Sequence, residues 1–401
     1  MTGGPAAPPP AAPRTPTDPD TRPVRRMIPR SKDEPHRAST PLELFFDLCF
    51  VVAVAQAGRQ LGHYLAEGHY AVALTGYLFA FFAIWWAWMN FTWFASAYDC
   101  DDVPYRLTTL VQITGVLILA AGVPRMFADQ DLVLAVTGYV VMRLAMVTQW
   151  LRAAASEQGP ARTVALRYAA GITLVQIGWG LVLLVPDDLR PYVVPLGVLA
   201  ELAVPVLAEL RTRTSWHPHH IAERYGLFTL IVLGETVAAA TLAVQSAVDE
   251  HEAFGELAPI AAGGLLLCFA AWWIYFARPI HDHLTSSRRA FLWGYGHYLV
   301  LGAAAAVGAG LEVAVEQAVG QAHVSVTAAT AAVTVPAALY LLTVWLLHSR
   351  HTKSGAAQAV LPAASAAVLA CTALGHSGVL AAGLVAAATV ALGITLHARE
   401  G

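Results

Sequence analysis

Residues 39–56, STPLELFFDLCFVVAVAQ, mark the point at which a polar tail gives way to the first long apolar segment of the chain. The Ser-Thr pair at its start can cap a helix, and the proline that follows suits the first helical position. Glu43 and Asp47 are four residues apart, so they lie on one face of this helix, about one turn from each other. Because carboxylates are costly near hydrocarbon, the stretch predicts a membrane helix whose two acidic side chains have a binding or structural partner.

The composition places this helix in a polytopic membrane protein. Of the 401 residues, 57% are hydrophobic and 13% are charged, and the mean hydropathy is +0.55, whereas soluble proteins carry about 25% charged residues. The net charge of -3 does not indicate a nucleic-acid partner. The expected partners are therefore the lipid bilayer and a small molecule or ion. The four cysteines have neither metal-ligand nor redox spacing.

The first 38 residues differ in composition from the rest of the chain. They are rich in Pro, Ala, Thr and Arg, and they contain no apolar run of the kind that a cleavable signal peptide needs. Such a segment cannot bury enough apolar surface to fold alone. Residues 1–38 are therefore predicted to be a disordered cytoplasmic tail.

Apolar segments of about 20 residues, the length that crosses a bilayer, recur from the tail to the end of the chain. They predict an all-α fold, a polytopic transmembrane helical bundle of about 12 helices. The separation of the last two helices depends on the Gly-His-Ser-Gly break at residues 375–378. The predicted helices cover residues 42–62, 71–95, 105–123, 131–150, 165–185, 191–210, 222–246, 258–277, 290–312, 326–347, 357–375 and 378–397.

The positive charges predict the orientation of these helices. If the N-terminus is cytoplasmic, 20 of the 24 Lys and Arg residues fall on the cytoplasmic side, and Arg143 lies within a helix. The three that remain outside are Arg59, Arg125 and Arg190. Because Lys and Arg are enriched in short cytoplasmic loops, both termini are predicted to be cytoplasmic.

An internal repeat relates two stretches of the chain. GYLFAFFAIWW at residues 76–86 and GGLLLCFAAWW at residues 263–273 share six of eleven positions, and each is the second predicted helix of its half. Six helices per half, both starting on the same side, indicate a parallel duplication. The predicted halves are residues 39–210 and 211–401.

Acidic and histidine residues occupy equivalent loops in the two halves, Asp99-Cys-Asp-Asp in one and His281-Asp-His in the other. Carboxylates and imidazoles together can hold a divalent cation, which could in turn hold a phosphate or diphosphate. Helix capping and ion pairing are the alternative, because two of the aspartates directly precede a helix. A divalent metal is the one cofactor that the sequence suggests. Its candidate ligands are Asp99, Asp101, Asp102, His281, Asp282 and His283.

Four further charged residues are predicted to lie at the cytoplasmic ends of the first and seventh helices. Glu43 and Asp47 would stand at a cytoplasmic mouth, and Glu223 with Arg224 would stand beside them. The repeat makes Glu223 a counterpart of Glu43, whereas a leucine occupies the place that matches Asp47. Asp47 is therefore the residue of the opening stretch for which we expect a role other than capping.

Charges also lie deeper in the membrane. Glu235 follows the start of the seventh helix by three turns, about 18 Å, and is expected near the middle of the bilayer. Arg143 and Glu201 are the other charges at membrane depth, and pairing Arg143 with either glutamate would offset the cost of both groups. Glu312 and Glu316 are expected at the outer surface, in contact with solvent.

Two tryptophan pairs occupy matching positions of the repeat, Trp85 with Trp86 and Trp272 with Trp273. Adjacent tryptophans point to different faces of a helix, so that one can face lipid while the other packs inward. The alternative is an aromatic-lined substrate pocket.

Five ordered blocks support a family resemblance: TPLELFFDL from Thr40, YDCDDVPYRL from Tyr98, HIAERYGLF from His220, LGET from Leu233 and WWIYF from Trp272. They resemble the blocks of the bacterial low-temperature-requirement protein A (LtrA) family, over about residues 39–400. The family's last block usually continues with acidic residues, whereas here Ala-Arg-Pro follows, which departs from symmetry between the two acidic loops. The resemblance implies a bacterial inner-membrane protein and supplies no defined mechanism.

Three functions remain open from the sequence. The first is a transporter-like protein that moves a small solute or ion, with Glu235 as a proton or cation site and Glu43 and Asp47 at the cytoplasmic mouth. The second is a membrane-embedded enzyme that acts on a lipid or isoprenoid-like substrate, with a metal at the cytoplasmic face and the tryptophan-rich helices around the apolar chain. The third is a sensor or accessory subunit without turnover. Whether the protein is an enzyme, and its oligomeric state, are left open.

Overall fold

Helices make up nearly all of the structure, a computed structural model that describes residues 23–30, 38–251, 254–351 and 355–397. The helical content is 84%, and these ranges contain no strand. Eleven segments of the described chain are long and apolar enough to cross a membrane. These findings confirm the predicted polytopic, all-α membrane protein.

Twelve α-helices follow one another in the described ranges, close to the predicted positions. The first, second, third, seventh and ninth helices extend beyond their predicted bounds at both ends, and the eleventh is shorter than predicted at both ends. The helices are α1 (Pro41–Ala66), α2 (Tyr70–Tyr98), α3 (Val103–Ala128), α4 (Val133–Ser156), α5 (Gly159–Val182), α6 (Arg190–Ala208), α7 (Pro218–His251), α8 (Phe254–Phe276), α9 (Ser287–Ala318), α10 (Val326–Leu347), α11 (Val360–Ala370) and α12 (Gly378–His397).

The last two helices are separated by a 3-10 helix at Cys371–Ser377. Gly375 within it has a φ of 57°, a backbone conformation that glycine adopts at no steric cost, and the helical path breaks there. The 11-residue α11 and α12 then pack against each other, and α12 packs against α8. The break predicted at residues 375–378 therefore exists, formed mainly by 3-10 geometry.

The start of α1 follows the local signals of its sequence. Thr40 is the N-cap, its Oγ1 accepts a hydrogen bond from the backbone N–H of Glu43 at 3.3 Å, and Pro41 is the first helical residue. The Glu43 carboxylate accepts the backbone N–H of Thr40 at 2.8 Å in return. This reciprocal capping box fixes the point at which the chain enters the helix.

Helix packing in the bundle relies on small residues and puts α1 in a central position. At the α3–α4 interface, a methyl group on Gly115, Gly122 or Gly138 would overlap backbone atoms of the facing helix, as expected where membrane helices approach closely. From its own predicted half, α1 contacts α2 and α3, and from the other half it contacts α7 and α9. This position determines which side chains can meet Glu43 and Asp47.

The end of the bundle at which α1 begins is called the N-terminal face here. It carries the connections that precede α3 and α7, as the backbone N–H of His217 donates to Ser96 Oγ at 3.0 Å at this end. The end at which α1 finishes is the opposite face. There the backbone N–H of His323, from the α9–α10 connection, donates to the carbonyl of Ala66 at 2.8 Å.

Residues 23–30 are fastened across the N-terminal face. The backbone N–H of Arg25 donates to Asp102 Oδ2 at 2.8 Å, and that of Met27 donates to Ser156 Oγ at 3.0 Å. The Met27 side chain is buried in the core. The prediction of a disordered tail is therefore wrong for this segment, and the other residues of the tail up to residue 37 lie outside the described part of the chain.

Candidate functional site

The two acidic residues at the start of α1 are bound by α7. Arg224 Nη2 lies 2.6 Å from Asp47 Oδ1 and Arg224 Nε lies 3.1 Å from Asp47 Oδ2, so this ion pair is bidentate. Arg224 Nη1 and His220 Nε2 lie 3.0 Å and 3.1 Å from the same oxygen of Glu43, Oε1. All four side chains are fully buried. Glu43 and Asp47 thus have the partners that their cost in the membrane requires.

A third helix contributes to this buried cluster. Trp88 in α2 donates its indole N–H to Asp47 Oδ1 at 2.7 Å, and the Trp88 ring stacks on Phe228 of α7 with the centroids 4.3 Å apart. The carboxylates of Asp47 and Glu43 both face the guanidinium of Arg224. The imidazole of His220 contacts the same Glu43 oxygen as the guanidinium does. The cluster therefore ties α1, α2 and α7 together at the N-terminal face.

The predicted mouth at Glu43 and Asp47 is closed in this structure, because neither side chain has any exposed surface. Glu223, the predicted counterpart of Glu43, does not join the cluster, and its Oε1 lies 3.4 Å from the backbone N of Ser39. The site predicted from the sequence contains Arg224 but does not contain His220, which lies one turn before Arg224 in α7.

A second buried carboxylate, Glu201 in α6, is held by α2, α4 and α5. Its Oε2 accepts hydrogen bonds from Arg143 Nη2 at 2.8 Å and from Trp86 Nε1 at 2.9 Å. Oε1 lies within reach of three more donors, Tyr139 OH at 2.9 Å, Gln176 Nε2 at 3.0 Å and Trp179 Nε1 at 3.3 Å. Of the two partners predicted for Arg143, Glu201 is therefore correct and Glu235 is wrong.

These five donors occupy the Glu201 carboxylate and explain how α6 is attached. Few side chains of α6 are buried, and Glu201 is the charged one among them. A buried charge with a full set of hydrogen bonds holds its neighbours strongly. The sequence leaves open both a structural pair and a role in proton or substrate binding for Arg143 and Glu201, and we interpret the two residues as an anchor for a peripheral helix.

Glu235 lies at a cavity of about 300 Å³ between α1, α7 and α9. Two more carboxylates, Glu312 and Glu316, and the guanidinium of Arg59 also line it. The lining includes Gln321, which follows α9, so the cavity reaches the opposite face. Glu312 and Glu316, which the sequence predicts at the outer surface in contact with solvent, are half-buried in the wall of this cavity.

Close contact between α7 and α9 forms the back of the cavity. Thr236 Oγ1 donates to a backbone carbonyl of α9 at 3.0 Å, and a Cβ at Gly308 would lie 3.1 Å from the Cα of Thr236. On α1, Gly62 makes room for the Glu312 carboxylate, because a Cβ there would be 2.9 Å from Oε2. Glu235 itself has no hydrogen bond or ion pair within the described ranges, so its carboxylate can accept a ligand that enters the cavity.

The comparisons with known proteins agree with the predicted resemblance. The sequence model of the family described as "Bacterial low temperature requirement A protein (LtrA)" matches residues 38–396. The chain belongs to this family. A relative from Rhizobium meliloti (strain 1021), named "Uncharacterized protein RA0937", is 28% identical to this LtrA protein over 288 residues. That match covers 66% of each chain, so the LtrA chain spans about two thirds of the length of this relative.

Two of the blocks that carry the LtrA resemblance meet in space. The first block supplies Glu43 and Asp47, and the block from His220 supplies His220 and Arg224, so the two blocks form the buried cluster. The short LGET block supplies Glu235 in the cavity.

The block that contains Asp102 serves helix capping and ion pairing. Asp102 Oδ1 accepts the backbone N–H of Tyr105 at 2.9 Å as the N-cap of α3, and Oδ2 accepts Arg152 Nη2 at 2.7 Å and the backbone N–H of Arg25. Burial alone would raise the pKa of Asp102, but these hydrogen bonds outweigh burial and lower its pKa. Asp101 forms an exposed ion pair with Arg106, at 2.8 Å.

The six predicted metal ligands do not assemble a metal site. Among the residues that the structure describes, no three His, Cys, Asp or Glu side chains form a group that could hold a metal ion. His281 contacts the ring of His219, with the centroids 5.2 Å apart, and its Nε2 lies 3.4 Å from Asp282 Oδ1. Capping and ion pairing, the alternative that the sequence left open, describe Asp101 and Asp102.

The four tryptophans of the repeat have two different environments. Trp85 and Trp86 are buried, and Trp86 is a donor to Glu201. Trp272 and Trp273 are 45% and 46% exposed at the surface of α8. The expectation of one lipid-facing and one inward ring per pair is wrong for both pairs, and the four residues do not form one aromatic pocket.

Proposed function

We propose that this LtrA protein moves a small cation or a proton across the membrane, with Glu235 as the carboxylate that binds it. The observation that carries the proposal is the cavity of about 300 Å³ at which the Glu235 carboxylate forms no hydrogen bond or salt bridge with the described residues, with Arg59 as the one cation in the same lining. Ionisable side chains at membrane depth are costly and commonly belong to ion or proton pathways. Three carboxylates and one arginine line this cavity, and such an excess of negative charge attracts cations.

The two ends of α1 support a transport cycle with alternating access. Asp47 and Arg59 are 12 residues apart, about 18 Å along the helix. Near Arg59 the cavity reaches the opposite face, whereas at Asp47 the buried ion pair with Arg224 closes the N-terminal face. In this proposal the structure corresponds to a state open to the opposite face. Release on the other side would require α1 and α7 to separate at the Asp47–Arg224 pair.

The proposal includes two parallel repeats, residues 39–210 and 211–401. Helix contacts support it, because the neighbours α1–α3 and α3–α4 of the first half correspond to α7–α9 and α9–α10 of the second. Transporters built from repeats bind their ions at the interface between the repeats, and the cavity lies between α1 from one half and α7 and α9 from the other. The surplus of Lys and Arg favours a cytoplasmic N-terminal face in a bacterial inner membrane.

Flux measurements on reconstituted protein test the proposal. Purified protein in liposomes that contain a pH- or cation-sensitive dye is exposed separately to gradients of H⁺, Na⁺ and K⁺. We expect flux of at least one of these ions above that of empty liposomes. Glu235→Gln keeps the size of the side chain and removes its charge, and we expect it to reduce the flux at least about tenfold, the factor that corresponds to roughly 1.4 kcal/mol.

Glu256→Gln is the matched control, because Glu256 is an exposed glutamate in the first turn of α8 outside the cavity lining. It should leave the flux unchanged. The proposal would be overturned if none of the three ions moved faster than in empty liposomes, or if Glu235→Gln retained the wild-type rate.

A further inference from the structure

A second cavity takes no part in the proposed transport path. It has a volume of about 430 Å³ and lies at the N-terminal face, between the ends of α8 and α10, the start of α11 and the last turns of α12. This volume is within the range of roughly 300–1,000 Å³ that is typical of small-molecule sites. The four helices all belong to the predicted second half, away from the Glu201 anchor.

The walls of this cavity are apolar on one side and polar at its edge. Leu361, Val390 and Ile394 supply aliphatic surface, and the half-exposed ring of Trp273 stands beside them. Arg278, the first charged residue after α8, is exposed in the lining. The cavity therefore has a mainly apolar lining and one positively charged side chain at its edge.

The inner end of the cavity is closed by a buried imidazole. His348 lines the cavity with 7% of its surface exposed. Trp293 Nε1 lies 3.3 Å from His348 Nε2, and the Tyr275 ring packs against the imidazole with the centroids 4.7 Å apart. These contacts fix the His348 imidazole in the buried part of the cavity wall, whereas Arg278 is exposed.

We propose that this cavity binds an anionic phospholipid, with the phosphate at Arg278 and one acyl chain along the aliphatic wall. The helices around it belong to segments that are long and apolar enough to cross a membrane, so a lipid of the surrounding bilayer can reach the cavity. Exposed cations at a membrane surface attract anionic headgroups, and Arg350 adds a second exposed cation next to the lining residue Ser349. Tryptophan is enriched at the depth where headgroup and acyl chain meet, which suits the position of Trp273.

Gly393 of α12 supplies a way to test where the acyl chain lies. It lines the cavity, and a Cβ built on it would meet no atom within 4 Å. A leucine at this position can therefore occupy the space of the acyl chain without displacing the backbone. Arg278→Gln tests the headgroup contact separately, because it removes the charge and leaves the apolar wall intact.

Native mass spectrometry of the delipidated full-length protein measures the binding directly. The two probes are phosphatidylglycerol and phosphatidylcholine with the same acyl chains, each titrated in mild detergent. We expect the wild type to bind one phosphatidylglycerol more tightly than phosphatidylcholine. Arg278→Gln should weaken phosphatidylglycerol binding about fivefold, the effect expected of one basic residue at a membrane surface, and should leave phosphatidylcholine binding unchanged. Gly393→Leu should weaken the binding of both lipids.

Arg288→Gln is the control for loss of positive charge, because Arg288 is exposed near the start of α9 outside the cavity lining. It should bind phosphatidylglycerol like the wild type. Equal affinity of the wild type for the two lipids would overturn the proposal. Unchanged phosphatidylglycerol binding in either Arg278→Gln or Gly393→Leu would also overturn it, whatever the flux measurements give.

Discussion

Arg224 of α7 binds both carboxylate oxygens of Asp47 of α1, and neither side chain has any surface exposed to solvent. The same guanidinium also reaches Glu43, so one positive charge serves two buried acids. Removing one partner of such a group leaves uncompensated charge in a medium of low dielectric. His220 is a second α7 partner of Glu43, so Arg224 is the one α7 side chain of this cluster that contacts both acids.

Arg224→Met should destabilise the protein strongly, because methionine preserves apolar volume but leaves two buried carboxylates without their cation. We expect a loss of about 3–5 kcal/mol in the free energy of unfolding, measured by denaturant unfolding in detergent. Adding Asp47→Asn to this variant should recover part of the loss. Arg106→Gln, which breaks the exposed pair with Asp101, is the control and should cost no more than about 1 kcal/mol. Equal losses for Arg224→Met and Arg106→Gln would contradict this reading of the cluster.

Glu201→Gln should weaken the attachment of α6 to α2, α4 and α5. The substitution keeps the shape of the side chain but leaves Arg143 as a buried cation with no carboxylate, so we expect a loss of about 3 kcal/mol or more. Tyr139→Phe is the matched comparison, because it removes one of the five donors and should cost only about 0.5–1.5 kcal/mol. Thermal unfolding followed by the intrinsic fluorescence of the 11 tryptophans, of which Trp86 and Trp179 contact Glu201, measures both. If the two variants unfold at the same temperature, the carboxylate does not anchor α6.

Asp102 predicts a specific pH dependence of stability. Its pKa is lowered in the folded protein, so the unfolded chain binds its proton more readily, and the folded state loses stability as the pH falls. The difference in unfolding temperature between the wild type and Asp102→Asn should therefore be full above roughly pH 5 and should shrink as the solution becomes more acidic. Asp188→Asn, which removes the same charge at an exposed position, controls for the change in net charge. A difference that stays constant between pH 7 and pH 3 would contradict the assignment.

The start of α1 could be predicted from sequence because its signals are local. The N-cap, the proline and the acid at the third helical position lie within four residues, and each acts on backbone groups that the sequence itself identifies. The need for a partner for Glu43 and Asp47 also follows from local chemistry. The identity of that partner depends on which helices become neighbours, and spacing along one helix carries no such information.

The same limit explains the errors at membrane depth. Helical rise gives the depth of Glu235 and Arg143, but it does not give the direction in which each side chain points within the bundle. Glu235 faces α1 and α9 and lines one cavity together with Arg59 and Glu312. Arg143 instead faces α6, where it pairs with Glu201. The sequence identifies each charged residue of the acidic cavity, but helical spacing alone does not predict that these residues line one cavity.

The two tryptophan pairs of the repeat have different environments because their helices have different neighbours in the bundle. In α2, rings of α9 surround the pair, as Trp85 lies 5.4 Å from Tyr298 and Trp86 lies 5.5 Å from Tyr295. In α8, the matching pair lies at the outer surface. A repeat in sequence predicts a similar helix, but the neighbours of that helix in the assembled bundle decide what its side chains contact.

The Asp47–Arg224 pair joins residues that are 177 positions apart in the chain. During synthesis, α1 therefore leaves the ribosome and enters the bilayer long before α7 exists. Until α7 is inserted, the charge of Glu43 and Asp47 has to be stabilised by water, by protonation or by another protein in place of Arg224. A nascent chain that stops before residue 224 therefore contains α1 without the guanidinium that pairs with Asp47 and Glu43 in the folded protein.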